Sequence, residues 1–299
     1  MLPLLVAAFL ASAPGAPGGE VPGAGGPGAH AASSPRWTWR HPDLEALYVA
    51  GRFEAGLAEA RRRIALAPDD AHLYGHAARF LYEIGELKGK AAPRAERHAI
   101  YQEMLRLLET GLRHEPGHPF LLFGLGLAKA RLGTTDGVLA SLSMARSIEH
   151  AWRAAIASGF AYQSANGENQ LPCDAMVALG IMYRMIPDWW IVGVIAGVRG
   201  DLDQSLAQLE AADACAPGRI RTMKERAATL LCMGTRRDDE GRLVAGRALA
   251  ARVAAMTPTT GTERIDVRDA RALGSDPTLA CAYSRDGQQD LDERRLAGR

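Results

Sequence analysis

The stretch MYRMIPDWWIVGVIAGVRGDLDQSLAQLEAADACAP, Met182 to Pro217, joins an aromatic, almost uncharged insertion to a turn and an amphipathic helix. Leu202, Leu206, Leu209 and Ala212 recur at spacings of three and four, which puts them on one helical face. Gly200 and Asp201 supply a turn and an N-cap before them, and Pro217 closes the unit. Upstream, Ala175, Leu179, Met182 and Ile186 form the matching face of an antiparallel partner helix. Two helices of this length cannot bury their apolar stripes alone, so they must stack on neighbours built the same way.

The same grammar recurs outward from this hairpin. Leu44, Leu47 and Tyr48 precede Gly51 and Phe53, and a second helix with Leu57, Ala60, Ile64 and Leu66 ends at Pro68. Another pair runs from Ala71 through Tyr74, Ala78, Leu81 and Gly85, then from Ile100 through Met104 and Leu108 to Pro116, lengthened by the segment Lys88 to Pro93. A third starts at Pro119, turns at Gly133 and returns through Val138, Leu142 and Ala145; Ile148 to Asn169 continue as helix and loop. The final pair has Met223, Ala227 and Leu231, a turn at Gly234, and Leu243, Ala250 and Val253 before Pro258, with a capping helix over Arg264 to Leu273. Strand signals are scarce, so the chain is expected to be all-α, an α-α superhelix of stacked antiparallel hairpins.

A helical hairpin with Gly at its turn, an aromatic soon after, small residues at the crossing and a closing Pro resembles the tetratricopeptide repeat (TPR) family. Arg63 departs from it, standing where that family has a small residue. The order of parts is narrower. An extended second unit, a helical insertion, LGIMYR at Leu179 to Arg184, the insertion with Trp189 and Trp190, and GDLDQSLAQLEAA resemble the regulator of microtubule dynamics family and bacterial exported relatives associated with TRAP-type transporters. The resemblance implies a TPR-like solenoid over residues 36–273. A microtubule role is not carried over, because the N-terminal leader points elsewhere.

That leader is LPLLVAAFLA, Leu2 to Ala11, followed by small residues, and it reads as a signal peptide over residues 1–13. Residues 14–35 are Gly, Pro, Ala and Ser around Glu20, a composition that buries too little apolar area to order itself, and they are read as a linker. The expected location is exported, periplasmic or secreted, and residues 274–299 are read as a disordered tail. The four cysteines show no CxxC pair; Cys215 with Cys232 is the one disulfide considered, against four small buried hydrophobes.

A 47% hydrophobic composition can fill a core, and 35 Lys plus Arg against 34 Asp plus Glu give +1, without the footprint of a nucleic-acid binder. Arg219 to Arg252 is locally basic and reads as a solvated face or as a docking surface for an acidic partner. No GxSxG, Walker loop or defined carboxylate pair is present, so no catalytic residue, cofactor or metal is expected. HEPGH, with His114, Glu115 and His118, lacks HExxH spacing and is broken by Pro116 and Gly117, so it reads as a repeat turn.

The expected function is therefore a non-enzymatic exported scaffold that binds a protein or peptide partner. Tyr183, Arg184, Trp189 and Trp190 would lie near the contact, against the alternative that the two Trp plug space between hairpins. The second expectation is a solute-binding accessory of a transport system, in which the insertion and the NGEN loop, Asn166 to Asn169, line an enclosed pocket for a small ligand. RWTWRH, Arg36 to His41, offers either a peripheral membrane contact or a cap on the first hairpin.

Overall fold

The computed structural model describes residues 39–164 and 169–284. The expected signal peptide, the linker, Asn166 and residues 285–299 lie outside the described residues. Among the described residues twelve α-helices follow one another: α1 (Pro42–Val49), α2 (Phe53–Leu66), α3 (Ala71–Lys88), α4 (Arg94–His114), α5 (Pro119–Asp136), α6 (Val138–Ala157), α7 (Cys173–Met185), α8 (Trp190–Ala196), α9 (Leu202–Cys215), α10 (Ile220–Arg237), α11 (Glu240–Ala254) and α12 (Gly261–Ser275). The all-α expectation holds. Each helix packs on the next, except that α7 pairs with α9 while the short α8 lies against α6.

Side-chain caps fix five of these starts. Asp201 accepts the amides of Asp203 and Gln204, both at 2.9 Å, as the sequence leads one to expect. Asp70 takes the His72 amide at 3.0 Å, and Thr260 with Glu263 forms a reciprocal capping box.

Two turns differ from expectation. Helix α5 runs through Gly133 to Asp136, because Leu132 and Thr135 bury there and offset the ~1 kcal/mol that a mid-helix glycine costs. The turn falls on Gly137, whose φ of 105° suits a residue without Cβ. Helix α10 likewise passes Gly234, which serves close packing: a Cβ there would lie 2.6 Å from Leu243 Cγ. A short antiparallel ribbon, β1 (Tyr162–Gln163) with β2 (Asn169–Leu171), replaces the expected loop between α6 and α7.

Beyond α12 the chain stays in contact with the core to Ser284, eleven residues past the expected boundary at Leu273. Ala280 is fully buried, and the Ala280 and Tyr283 carbonyls accept Arg184 Nη1 at 2.8 and 2.9 Å. Cys281 is bonded to Cys232 on α10, and Cys173 to Cys215 across α7 and α9. The expected Cys215–Cys232 pairing is thus wrong, as is the alternative of four free thiols. Cys215 faces its own hairpin partner, and the mate of Cys232 comes from the C-terminal segment.

The stack curls back on itself. Helix α12 packs on α3, with a Cβ at Gly261 falling 2.7 Å from Leu87, and Arg221 at the start of α10 donates to Tyr82 Oη on α3 at 3.2 Å.

Candidate ligand cavity

Between the returning helices and the first hairpins lies a cavity of about 540 Å³. Helix α5 turns Phe120, Phe123, Gly124 and Leu127 toward it, one face at spacings of three and four. Helix α3 contributes Arg79, Tyr82 and Glu83, the start of α7 Asp174, and the starts of α10 and α12 Arg219, Arg221 and residues 260–264.

Arg79 is the most unusual group in this wall. Its guanidinium lies 3.8 Å from the Tyr48 ring centre, within 5.6 Å of the Trp39, Phe120 and Tyr162 rings, and bonds Glu45 Oε2 at 2.5 Å. Glu45 Oε1 accepts from Tyr162 Oη at 2.8 Å. Burial pushes the Glu45 carboxyl up, but the charge and hydrogen bonds of Arg79 outweigh it and hold the group below the ordinary carboxylate range. Arg79 Nη2 is buried and has no hydrogen-bond partner, so one charge-assisted donor in this wall is unsatisfied.

A second, apolar pocket of about 110 Å³ opens beside the first and shares Tyr82, Leu127 and Arg221 with it. Its depth is made by α5, α6 and α7, with Leu142, Ile148, Trp152, Ala178 and Met182 among the walls. Glu225 on its far side already uses both oxygens, Oε2 to Arg184 at 2.6 Å and Oε1 to Lys224.

The residues expected to form a site do not converge. Arg184 has no exposed surface and ties α7 to Glu225 and to the C-terminal segment. It can touch no external partner. Tyr183 is buried as well; its hydroxyl donates to Glu149 and accepts from Arg153 at 2.6 Å, and burial with the Glu149 contact raises it to about 12. Asn169 sits in β2. Trp189 and Trp190 are 43% and 74% exposed, so they do not plug the space between hairpins, and with Val194 they form an apolar surface on α8. At the turn before α9 the backbones come close, since a Cβ on Gly200 would meet the Ile186 carbonyl. Trp39 packs against His76, Phe120 and Tyr162 and thereby caps the first hairpins.

His118 and Glu115 of HEPGH meet His72, a third residue that sequence spacing did not offer, with ligand atoms within 4.8 Å of one another. The hydrogen bonds oppose a cation there. Nδ1 of His72 accepts the Arg40 amide at 3.3 Å and Nδ1 of His118 the Phe120 amide at 3.2 Å. Each neutral ring therefore carries its proton on Nε2, leaving no lone pair for a metal. Burial lowers both imidazoles, His72 to about 4, so they are neutral at ordinary pH.

The cavity residues are not legible in the sequence because they come from eight helices. One signal was legible: Arg79 interrupts the apolar run Ala77 to Leu81, and a charge inside a buried stripe marks either a partner or a site. No family model and no curated protein matches the chain. Among the described residues, no helix is long and apolar enough to cross a membrane.

Proposed function

We propose that this chain is a non-enzymatic binding protein that holds a small organic molecule in the cavity between α3, α5, α10 and α12. The observation that carries this is the cavity itself. About 540 Å³ falls within the span of small-molecule sites, and the wall combines aromatic rings with a few convergent charges and the unsatisfied Arg79 donor. The expected export and the resemblance to transporter-associated relatives fit a solute-binding accessory of a transport system. Native mass spectrometry of the purified protein, followed by thermal-shift screening of a metabolite panel, tests it. A ligand at a hundred times its Kd adds about 2.7 kcal/mol of stability and raises Tm by several degrees. Stabilisation that disappears in Arg79→Gln or Phe123→Ala is the expected result; a panel without any stabilising compound and an empty native spectrum would refute the proposal.

A scaffold role for a protein or peptide is the second reading, favoured by the exposed Trp189, Trp190 and Val194 on α8. In that case a Trp189→Ala, Trp190→Ala variant stays folded and loses a partner in pull-downs that the native chain retains.

A further inference from the structure

We infer that the ligand is uncharged and carries an alkyl end of about four carbons, which the apolar side pocket takes up. This rests on the small-molecule reading above and names the part of the ligand that reaches beyond the larger cavity.

The void exists because three packed helices each bring an alanine to the same place. Ala130 on α5, Ala145 on α6 and Ala178 on α7 all line it, and the larger side chains around them, Leu142, Ile148 and Met182, do not close over it. Polar groups in this wall spend their hydrogen bonds inside the protein. Trp152 Nε1 donates to the Phe123 carbonyl at 3.2 Å, Thr134 Oγ1 to the Arg131 carbonyl at 3.1 Å, and Arg131 to Glu86 at 2.6 Å. Glu225 is held by Arg184 and Lys224. What remains is a hydrocarbon surface, and an apolar cavity of this kind stays dry until an apolar group enters it. An engineered cavity of ~150 Å³ takes up benzene, so the 110 Å³ here is filled by about four methyl and methylene groups.

The lack of charge follows from the larger cavity, where the rest of the ligand lies. Among the described residues, four arginines and four acids line it, so the wall favours neither sign. Asp174 pairs with Arg219 at 2.6 Å, Asp266 with Lys224 at 3.0 Å, and Glu263 accepts the Thr259 and Thr260 amides. Arg221, which borders both spaces, donates to Tyr82 Oη. An ion of either sign would give up its water here and meet as many like charges as opposite ones, whereas a neutral molecule loses little.

Titration calorimetry on the full chain, with the straight-chain 1-alkanols from methanol to octanol beside the carboxylates and amines of equal length, tests the inference. Affinity for the alcohols is expected to rise about fourfold per methylene up to butanol or pentanol, and less steeply where the chain emerges into the larger cavity. At equal length the alcohol should bind at least tenfold tighter than either ion. Ala145→Leu should weaken pentanol at least tenfold by filling the void. Ala178→Leu fills it from α7 should Ala145→Leu not fold, with circular dichroism checking both. Comparison of 1-butanol with N-butylacetamide names the source: a tighter amide makes the alkyl group the end of a larger neutral molecule, and equal affinity makes the ligand itself a short one. Ions that bind as well as the alcohols, an affinity independent of chain length, or pentanol binding unchanged in a folded filled variant would overturn the inference. If compounds from the metabolite panel bind while the alkanols do not, the inference alone falls; if neither series binds, the cavity proposal falls with it.

Discussion

Replacing Arg184 by Met should cost more stability than any other single substitution of the described polar residues. The side chain is fully buried and makes three hydrogen bonds: to Glu225 Oε2 at 2.6 Å and to the Ala280 and Tyr283 carbonyls at 2.8 and 2.9 Å. Methionine fills similar volume but leaves Glu225 with Lys224 as its remaining cation and two carbonyls without their donor. Breaking one partner out of a buried ion pair costs about 3–5 kcal/mol, mostly because the abandoned charge stays desolvated. Against a total stability of roughly 5–15 kcal/mol that is a large fraction, and it corresponds to a fall in Tm of about 6–20 °C at this chain size. Urea denaturation of the native chain, Arg184→Met, Glu225→Gln and the double variant measures it. The double variant should lose less than the sum of the two singles, because neither then strands the other's charge. A loss below about 1 kcal/mol in Arg184→Met, or strict additivity, would show that water reaches this network and that its burial is not what holds the C-terminal segment.

Replacing Cys232 and Cys281 by Ser should destabilise the chain by about 4 kcal/mol on the chain-entropy estimate for a 49-residue separation, and thiol reagents should reproduce the loss in the native chain by calorimetry. His76 is buried, its imidazole lowered to about 3, while an unfolded histidine titrates near 6.5. The fold therefore takes up its proton later than the unfolded chain. Stability is complete above about pH 6.5 and falls as pH drops toward 3, with His76 alone costing about 2 kcal/mol by pH 5. A His76→Gln variant should show a flatter dependence of Tm on pH between 7 and 4.5. Trp189→Ala with Trp190→Ala should change stability by no more than about 1 kcal/mol, because these rings pack little; a larger loss in denaturant would mean that they belong to the core.

Helix faces were legible because period three-and-four spacing is set by local geometry. Leu209 and Ala212, picked from Met182 to Pro217, are both fully buried. Turns were less so. Glycine serves both as a breaker and as a place where helices touch, and Gly234 was read as the first when it is the second. The disulfides were hidden for a related reason: spacing says which helix a cysteine is on, but not that residues beyond Gly274 return to α10. The site was the least legible part. Arg79, Phe123, Asp174, Arg221 and Arg264 become neighbours only through the curl of the stack, and no local window of sequence contains that information. Tyr183 and Arg184 were picked out for chemistry that the fold spends on its interior.

The return of α12 to α3 has a consequence for how the molecule can come apart. An open array of repeats tolerates trimming at either end, because each unit leans only on the one before it, and melting can start at a terminus and travel inward. Here the last helix leans on an early one, so cutting the array at Pro258 would bare the flank of α3 as well as that of α11. Evolution cannot lengthen such an array by duplicating a hairpin without prising that seam apart, and the number of units is thereby tied to the width of the hollow they enclose.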